Sequence, residues 1–268
     1  MNGSERAATP PMIGVIGGMG PYAGLDLVRK VFDETRTAVD QDHLPLALLS
    51  IPGDIVDRTE YVIGAIAENP AYAIARIAGM LERAGVTVAA IPCNSAHSPP
   101  IFDVVLDVLR QAGSRLRLVH LIEETARHLA SRPIPPKRVG VLSTTSVFRL
   151  GLYRDALDRA GIEAVLPSAA IQENVVHAAI YAPEYGIKAC SNPVSTRARA
   201  DLEGVIAALA ERGAEAVVLG CTELPLALPG THAAGLPLID PTRILARALI
   251  RETYPERLRE AGDGVAVD

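Results

Sequence analysis

The sequence predicts an α/β fold of two pseudo-symmetric lobes, each a parallel sheet flanked by helices, with the functional site in the cleft between them. Three observations predict it. Short unbroken apolar runs, closed by small or turn residues, recur along the 268-residue chain, helical patterns lie between them, and parts of the first half return in the second. An unbroken apolar run is what a strand buried on both faces requires, and alternation of strand with helix is the pattern of parallel sheets.

In chain order, strands are expected over 12–16, 44–51, 86–91, 116–121, 139–142, 216–219 and 236–239. Helical spacing places one helix over 71–84, with Ile74, Ile77, Ala78 and Leu81 on one face, and a second over 196–212, with Leu202, Val205, Ile206 and Leu209. A last helix is expected over 242–253, after Pro241. The repeat pairs Ile13-Gly-Val-Ile16 with Val139-Gly-Val-Leu142. It also pairs Ala84-Gly-Val-Thr-Val-Ala-Ala-Ile-Pro-Cys93 with Arg212-Gly-Ala-Glu-Ala-Val-Val-Leu-Gly-Cys221, at nearly the same offset. The domain reading is a first lobe over 1–120, completed by a returning C-terminal helix at 241–256, and a second lobe over 121–240. Pro133-Ile-Pro-Pro136 reads as a stiff connector ahead of the second copy's first strand. Residues 1–10 and the tail at 257–268 read as loose.

Composition narrows the class of partner. Charged residues make up 21% of the chain, the formal net charge is -5, and no Lys/Arg block occurs, so nucleic acid is not expected. No apolar run approaches the length of a membrane span and the N-terminus has no signal-like stretch, so the expectation is a cytoplasmic protein without membrane contact. Three cysteines, Cys93, Cys190 and Cys221, without C-x-x-C or H-x-E spacing, argue against a disulfide framework and against a metal site. Cys190 has no counterpart in the repeat and reads as structural.

Cys93 and Cys221 fall at equivalent strand ends, where open parallel sheets bind ligands. Polar residues follow each, Asn94-Ser95 and Thr222-Glu223, so each is expected to open a helix whose N-terminus favours thiolate over thiol. Two such thiols facing each other across a cleft suit proton transfer at one carbon from both faces, one sulfur as base and the other as acid. The competing reading is that both are small buried hydrophobes.

These residues resemble the aspartate/glutamate racemase family, and more closely its aspartate racemase branch. The resemblance spans nearly the whole chain and is carried by Ile16-Gly-Gly-Met-Gly-Pro21, Asp40-Gln-Asp-His-Leu-Pro45, Asp57-Arg-Thr59, Pro92-Cys-Asn-Ser-Ala-His97, Tyr185-Gly-Ile-Lys188, Leu219-Gly-Cys-Thr-Glu-Leu-Pro225 and Ile239-Asp-Pro241. It implies a cofactor-independent amino-acid racemase that needs no pyridoxal phosphate, with Cys93 and Cys221 catalytic. By the same resemblance, Asn94, Ser95 and Thr222 bind the substrate's carboxylate and ammonium, and Arg58 and Lys188 bind a side-chain carboxylate. Met19, Ala96, Thr144 and Glu223 complete the expected wall. The implied partner is a small amino acid, dicarboxylic by the Arg58 and Lys188 reading, and a homodimer is implied as well. His97 either tunes Cys93 or makes a structural hydrogen bond.

The chain departs from the family's pattern at Thr144-Thr145-Ser146-Val147, where Thr-x-Gly-Thr is usual, and around Ile51. Aspartate, glutamate and a related amino acid therefore stay open as substrate. Other readings are a superfamily isomerase or decarboxylase (maleate isomerase, hydantoin racemase, arylmalonate decarboxylase) and a non-catalytic amino-acid sensor. Gly18-Met-Gly-Pro-Tyr-Ala23 fits a dinucleotide fingerprint, but Pro21 inside the turn counts against it.

Overall fold

The computed structural model describes residues 10–260. The first sheet is wholly parallel, ordered β2-β1-β3-β4, from β1 (Met12–Gly17), β2 (Leu46–Ser50), β3 (Val86–Ala90) and β4 (Arg117–Val119). The second is ordered β6-β5-β7-β9-β8, from β5 (Arg138–Ser143), β6 (Glu163–Val165), β7 (Ala216–Gly220), β8 (His232–Ala233) and β9 (Leu236–Ile239). Its first four members run parallel and β8 pairs antiparallel at the edge. The repeat is thus a repeat of topology: β1 and β5 hold matching places, as do β3 and β7. Strands β6 and β8 are short, and neither carries an apolar run long enough to be read from sequence.

Helices α1 (Pro21–Asp33), α2 (Arg58–Val62), α3 (Ala71–Arg83), α4 (Pro99–Gln111) and α5 (Leu121–Ala130) accompany the first sheet along the chain. With the second come α6 (Thr145–Arg149), α7 (Leu152–Arg159), α8 (Ala169–Ile171), α9 (His177–Tyr181), α10 (Thr196–Glu211), α11 (Leu224–Ala227) and α12 (Pro241–Thr253). A π-helical turn, Gln172–Val176, joins α8 to α9. Among the described residues no helix is long and apolar enough to cross a membrane.

The period-two geometry of the strands divides the core. Ile13 and Val15 of β1 and Val139 and Val141 of β5 face a shared central layer with Leu121, Leu245 and Leu249. Ile16 of β1 turns the other way, onto Ile74, Ile77 and Leu81 of α3. Leu142 and Val217 turn outward onto Leu202, Ile206 and Leu209 of α10. One apolar cluster therefore runs between both sheets, and α12 lies in it, packed on α1 and α5.

A buried polar clamp joins the second sheet's last strand to the first lobe. Asp240, between β9 and α12, caps the helix by accepting from the Thr242 and Arg243 backbone N–H groups, and its other carboxylate oxygen pairs with Lys30 of α1. Lys30 is 2% exposed and also pairs with Asp26. The expected loose tail is tied down as far as it is described. Leu258 bridges Thr35, the Arg259 N–H donates to Glu34 O at 2.9 Å, and Arg257 pairs with Asp42 at 3.0 Å. The looseness expected of 1–9 and 261–268 lies outside the described residues.

Candidate active site

The two cysteines stand just beyond the C-terminal ends of β3 and β7 and line one cleft between the lobes. Close packing sets the second of them. A Cβ on Gly220 would come within 2.8 Å of both Leu142 O and the Tyr153 ring, so only glycine lets β7 reach the point where Cys221 follows. Gly18, at φ +97°, makes a sharp exit from β1. Across the cleft the Thr222 hydroxyl donates to Pro92 O at 3.0 Å, so the two cysteine-bearing loops touch directly.

Ser98-Pro99-Pro100 keeps the helical segment after Cys93 short. Asn94–His97 forms only a 3-10 turn, and Pro99 restarts the chain as α4. After Cys221 the helix is the short α11. The expectation that each thiol opens an α-helix is therefore corrected, since a 3-10 turn follows Cys93 and α11 starts only at Leu224, and with it the expected drop in thiol pKa at Cys221. Burial pushes that thiol up, and the negative charge of Glu223 pushes it further; the nearby Lys188 ammonium only partly opposes them. The Cys221 thiol donates to Glu223 Oε2 at 2.9 Å.

Glu223 is the hub of the cleft. Besides the thiol, its carboxylate accepts from the Gly20 N–H at 3.1 Å, from Lys188 Nζ at 3.3 Å and weakly from the Thr222 hydroxyl at 3.4 Å. Burial alone would raise its pKa, but Lys188 and the hydrogen bonds hold the carboxyl below its ordinary value. Lys188 in turn loses by burial and gains more from the Glu223 carboxylate, so it stays protonated, its ammonium 5.2 Å from the centre of the Tyr181 ring.

Arg58 is 6% exposed, too buried for a surface salt bridge. Its Nη2 donates to Met19 O at 3.1 Å and Nη1 to Val56 O at 3.2 Å, while Nε is buried without a partner. Burial works against its charge, but the neighbouring Cys93 and Asp57 hold the guanidinium above its ordinary value. Asn94 is arranged in the same way: its Oδ1 accepts from the Tyr153 hydroxyl at 2.7 Å, and its Nδ2 is buried and unpartnered.

The Asp/Glu/hydantoin racemase family profile matches residues 16–249. The chain belongs to this family. It is 26% identical over 250 residues to the broad specificity amino-acid racemase RacX of Bacillus subtilis (strain 168), covering 91% of this chain and 98% of the relative. Among solved structures it is similar to the aspartate racemase of Picrophilus torridus, with 28% identity, TM-score 0.74, and coverage of 91% of this chain and 94% of that one. An aspartate racemase homologue from Pyrococcus horikoshii OT3 matches at 26% identity and TM-score 0.66, over 90% of this chain and 98% of that one.

Of the residues this racemase-family sequence singles out, the structure gathers Met19, Arg58, Cys93, Asn94, Ser95, Thr144, Lys188, Cys221, Thr222 and Glu223 around the one cleft. Ala96 is the exception. The tight turn after Ser95 sends its methyl group back into the first lobe's apolar cluster, where it is fully buried away from the cleft. The hydroxyls of Ser95, Thr144 and Ser146 are bonded to one another at 2.8–3.1 Å, and Ser146 reaches Thr59 at 3.0 Å. They stitch the lobes together. Sequence reasoning missed Tyr181, which lines the cleft, and Tyr153, behind Asn94. Neither falls in the repeat or in a recognisable motif. His97 resolves to the structural alternative: its Nδ1 lies 2.9 Å from Cys93 O, and its Nε2 accepts from the Leu121 N–H at 3.2 Å.

Proposed function

We propose that this chain interconverts the L- and D-enantiomers of an amino acid without a cofactor, using Cys93 and Cys221 on opposite faces of Cα. The observation that carries the reading is that two cysteines at matching strand ends of repeated lobes line one cleft. In the resting site Cys221 holds its proton, being buried beside a carboxylate, and Cys93 lies next to the Arg58 cation. As thiolate, Cys93 takes the α-proton from one face, and the electron pair left on Cα is delocalised into the substrate carboxylate. Cys221 then delivers its own proton to the opposite face, so the roles are exchanged when the product leaves.

The substrate is an amino acid whose carboxylate meets Asn94 and Arg58 and whose ammonium meets Glu223. A dicarboxylic side chain is supported by Lys188, a second cation lining the cleft besides Arg58. The Lys188–Glu223 pair favours a second reading, broad specificity, because a lysine already neutralised selects less strongly for a second carboxylate. The broad-specificity activity named for the Bacillus subtilis relative agrees with that second reading.

The test is a panel of L- and D-amino acids in D2O, followed by α-deuterium content and optical rotation for wild type, Cys93→Ser and Cys221→Ser. Wild type should exchange and invert, and each serine variant should lose inversion. A wild type that leaves every α-proton in place defeats the racemase reading. Full two-way activity in either serine variant defeats the two-thiol mechanism.

A further inference from the structure

Asn94 and Tyr153 come from different sheets' surroundings, one from the loop after β3 and the other from α7, and they meet behind the cleft. Tyr153 is 1% exposed, and burial holds its phenol well above the ordinary value, so the hydroxyl is a neutral donor. A carboxamide has one accepting and one donating prong, and its orientation is set by whichever prong is engaged. Here the accepting prong is engaged from behind. Asn94 Nδ2 is left buried and unpartnered, as is Arg58 Nε, and both residues line the same cleft. A buried donor without a partner costs about 1–3 kcal/mol, a cost that a bound anion removes.

We propose that Tyr153 is a positioning residue that holds the Asn94 amide with its NH2 toward the cleft, making the Asn94–Arg58 side a receptor for a carboxylate and not for an ammonium. The substrate class this takes is any small molecule with a free carboxylate, amino acids among them. The assignment rests on the amino-acid reading above only for the identity of the physiological ligand. Without the Tyr153 hydroxyl the amide turns freely, and in half of its orientations the carbonyl oxygen faces the incoming anion.

The test uses Tyr153→Phe, which keeps the ring that fills the core, together with Asn94→Ala, the double variant and Asn94→Asp. Two quantities are read: KM and kcat for the amino acid best turned over by wild type, and calorimetric affinity for succinate, which has carboxylates but no ammonium. Tyr153→Phe should raise KM and weaken succinate about tenfold, the worth of one hydrogen bond. kcat should fall as well, because the carboxylate gains negative charge as the Cα–H bond breaks and the Asn94 contact is then stronger than in the ground state. In the Asn94→Ala background the same change should do nothing more. Asn94→Asp, which keeps the Tyr153 bond but presents an oxygen to the cleft, should abolish succinate binding.

Unchanged KM and succinate affinity in Tyr153→Phe overturn the proposal, and so does an undiminished effect in the Asn94→Ala background. Should Tyr153→Phe fail to fold, Asn94→Asp decides alone, and succinate bound as tightly as by wild type overturns it. If wild type turns over nothing while Tyr153→Phe still weakens succinate tenfold, the racemase reading falls and the Tyr153 assignment stands.

Discussion

The Cys221 thiol donates to Glu223 Oε2 at 2.9 Å, and the same carboxylate pairs with Lys188 at 3.3 Å. A thiol beside a buried carboxylate keeps its proton, whereas Cys93 faces the guanidinium of Arg58. The two sulfurs of a pseudo-symmetric site therefore start from different electrostatic surroundings. In the proposed reaction that difference assigns Cys221 as the first acid.

The first prediction comes from removing the charge. In Glu223→Gln the burial of Cys221 is unchanged but the carboxylate's repulsion of a thiolate is gone, so the thiol pKa falls. The protonated thiol is the working form for the direction in which Cys221 is the acid. The alkaline limb of kcat/KM in that direction should therefore move to lower pH than in wild type, as measured by rate profiles across the alkaline range. A limb that stays in place or moves upward would show that Glu223 does not set the thiol.

A second prediction concerns Arg58. Its guanidinium is fixed by Met19 O and Val56 O and offers a buried, unpartnered Nε. Truncating one side of a buried charged contact costs roughly 2–5 kcal/mol, about thirtyfold or more in kcat/KM. Arg58→Leu should lose at least that much on every amino acid if Arg58 holds the carboxylate common to all of them. If it reads the side chain, the loss should be confined to dicarboxylic substrates. Steady-state kinetics with aspartate and alanine separate the two, and no loss on either would remove Arg58 from the binding site.

How much of this was legible in the sequence depended on whether a residue's role was local. The Cys93 and Cys221 positions followed from strand-end repeats, because an unbroken apolar strand and the residue that terminates it are neighbours in the chain. The inward turn of Ala96 was not legible: one 3-10 turn decides whether its methyl group faces cleft or core, and spacing alone does not distinguish that turn from the start of an α-helix. Tyr153 was invisible for a different reason. Its partner, Asn94, lies 59 positions away in the other half of the chain, and no pattern around Tyr153 marks a hydroxyl as engaged. Likewise the Ser146 hydroxyl acts through Ser95 and Thr59, contacts that exist only once the lobes have closed on each other.

The third prediction tests the clamp between β9 and α1. Lys30→Met removes the buried cation shared by Asp26, which keeps only the exposed Arg29 at 2.9 Å, and Asp240, whose side chain is 21% exposed. Breaking a buried pair in this way costs about 3–5 kcal/mol. For a chain of this size that corresponds to a fall in Tm on the order of 10 °C. Thermal unfolding should show it. Asp26→Asn in the Lys30→Met background should recover part of the loss, since it removes one of the two carboxylate charges left without Lys30.

The last prediction is an acid sensitivity that originates behind Cys93. His97 is fully enclosed against Phe102 and His120, and burial, aided by the His120 charge, lowers its pKa to about 3. The neutral ring is what the fold requires: Nε2 accepts from the Leu121 N–H, so the ring's proton resides on Nδ1 and is donated to Cys93 O. In the unfolded chain the ring titrates near its ordinary 6.5. Between these two values the unfolded state binds the extra proton, so unfolding becomes easier as pH falls. The stability held by neutral His97 is fully present above about 6.5 and is lost as pH drops toward 3. This one site contributes up to about 1.4 kcal/mol per pH unit. Urea midpoints from neutral to acid pH should therefore fall more steeply in wild type than in His97→Gln, whose amide can accept from Leu121 but does not titrate. Equal slopes in the two proteins would mean that other groups account for the acid sensitivity and that His97 is not held neutral by the fold.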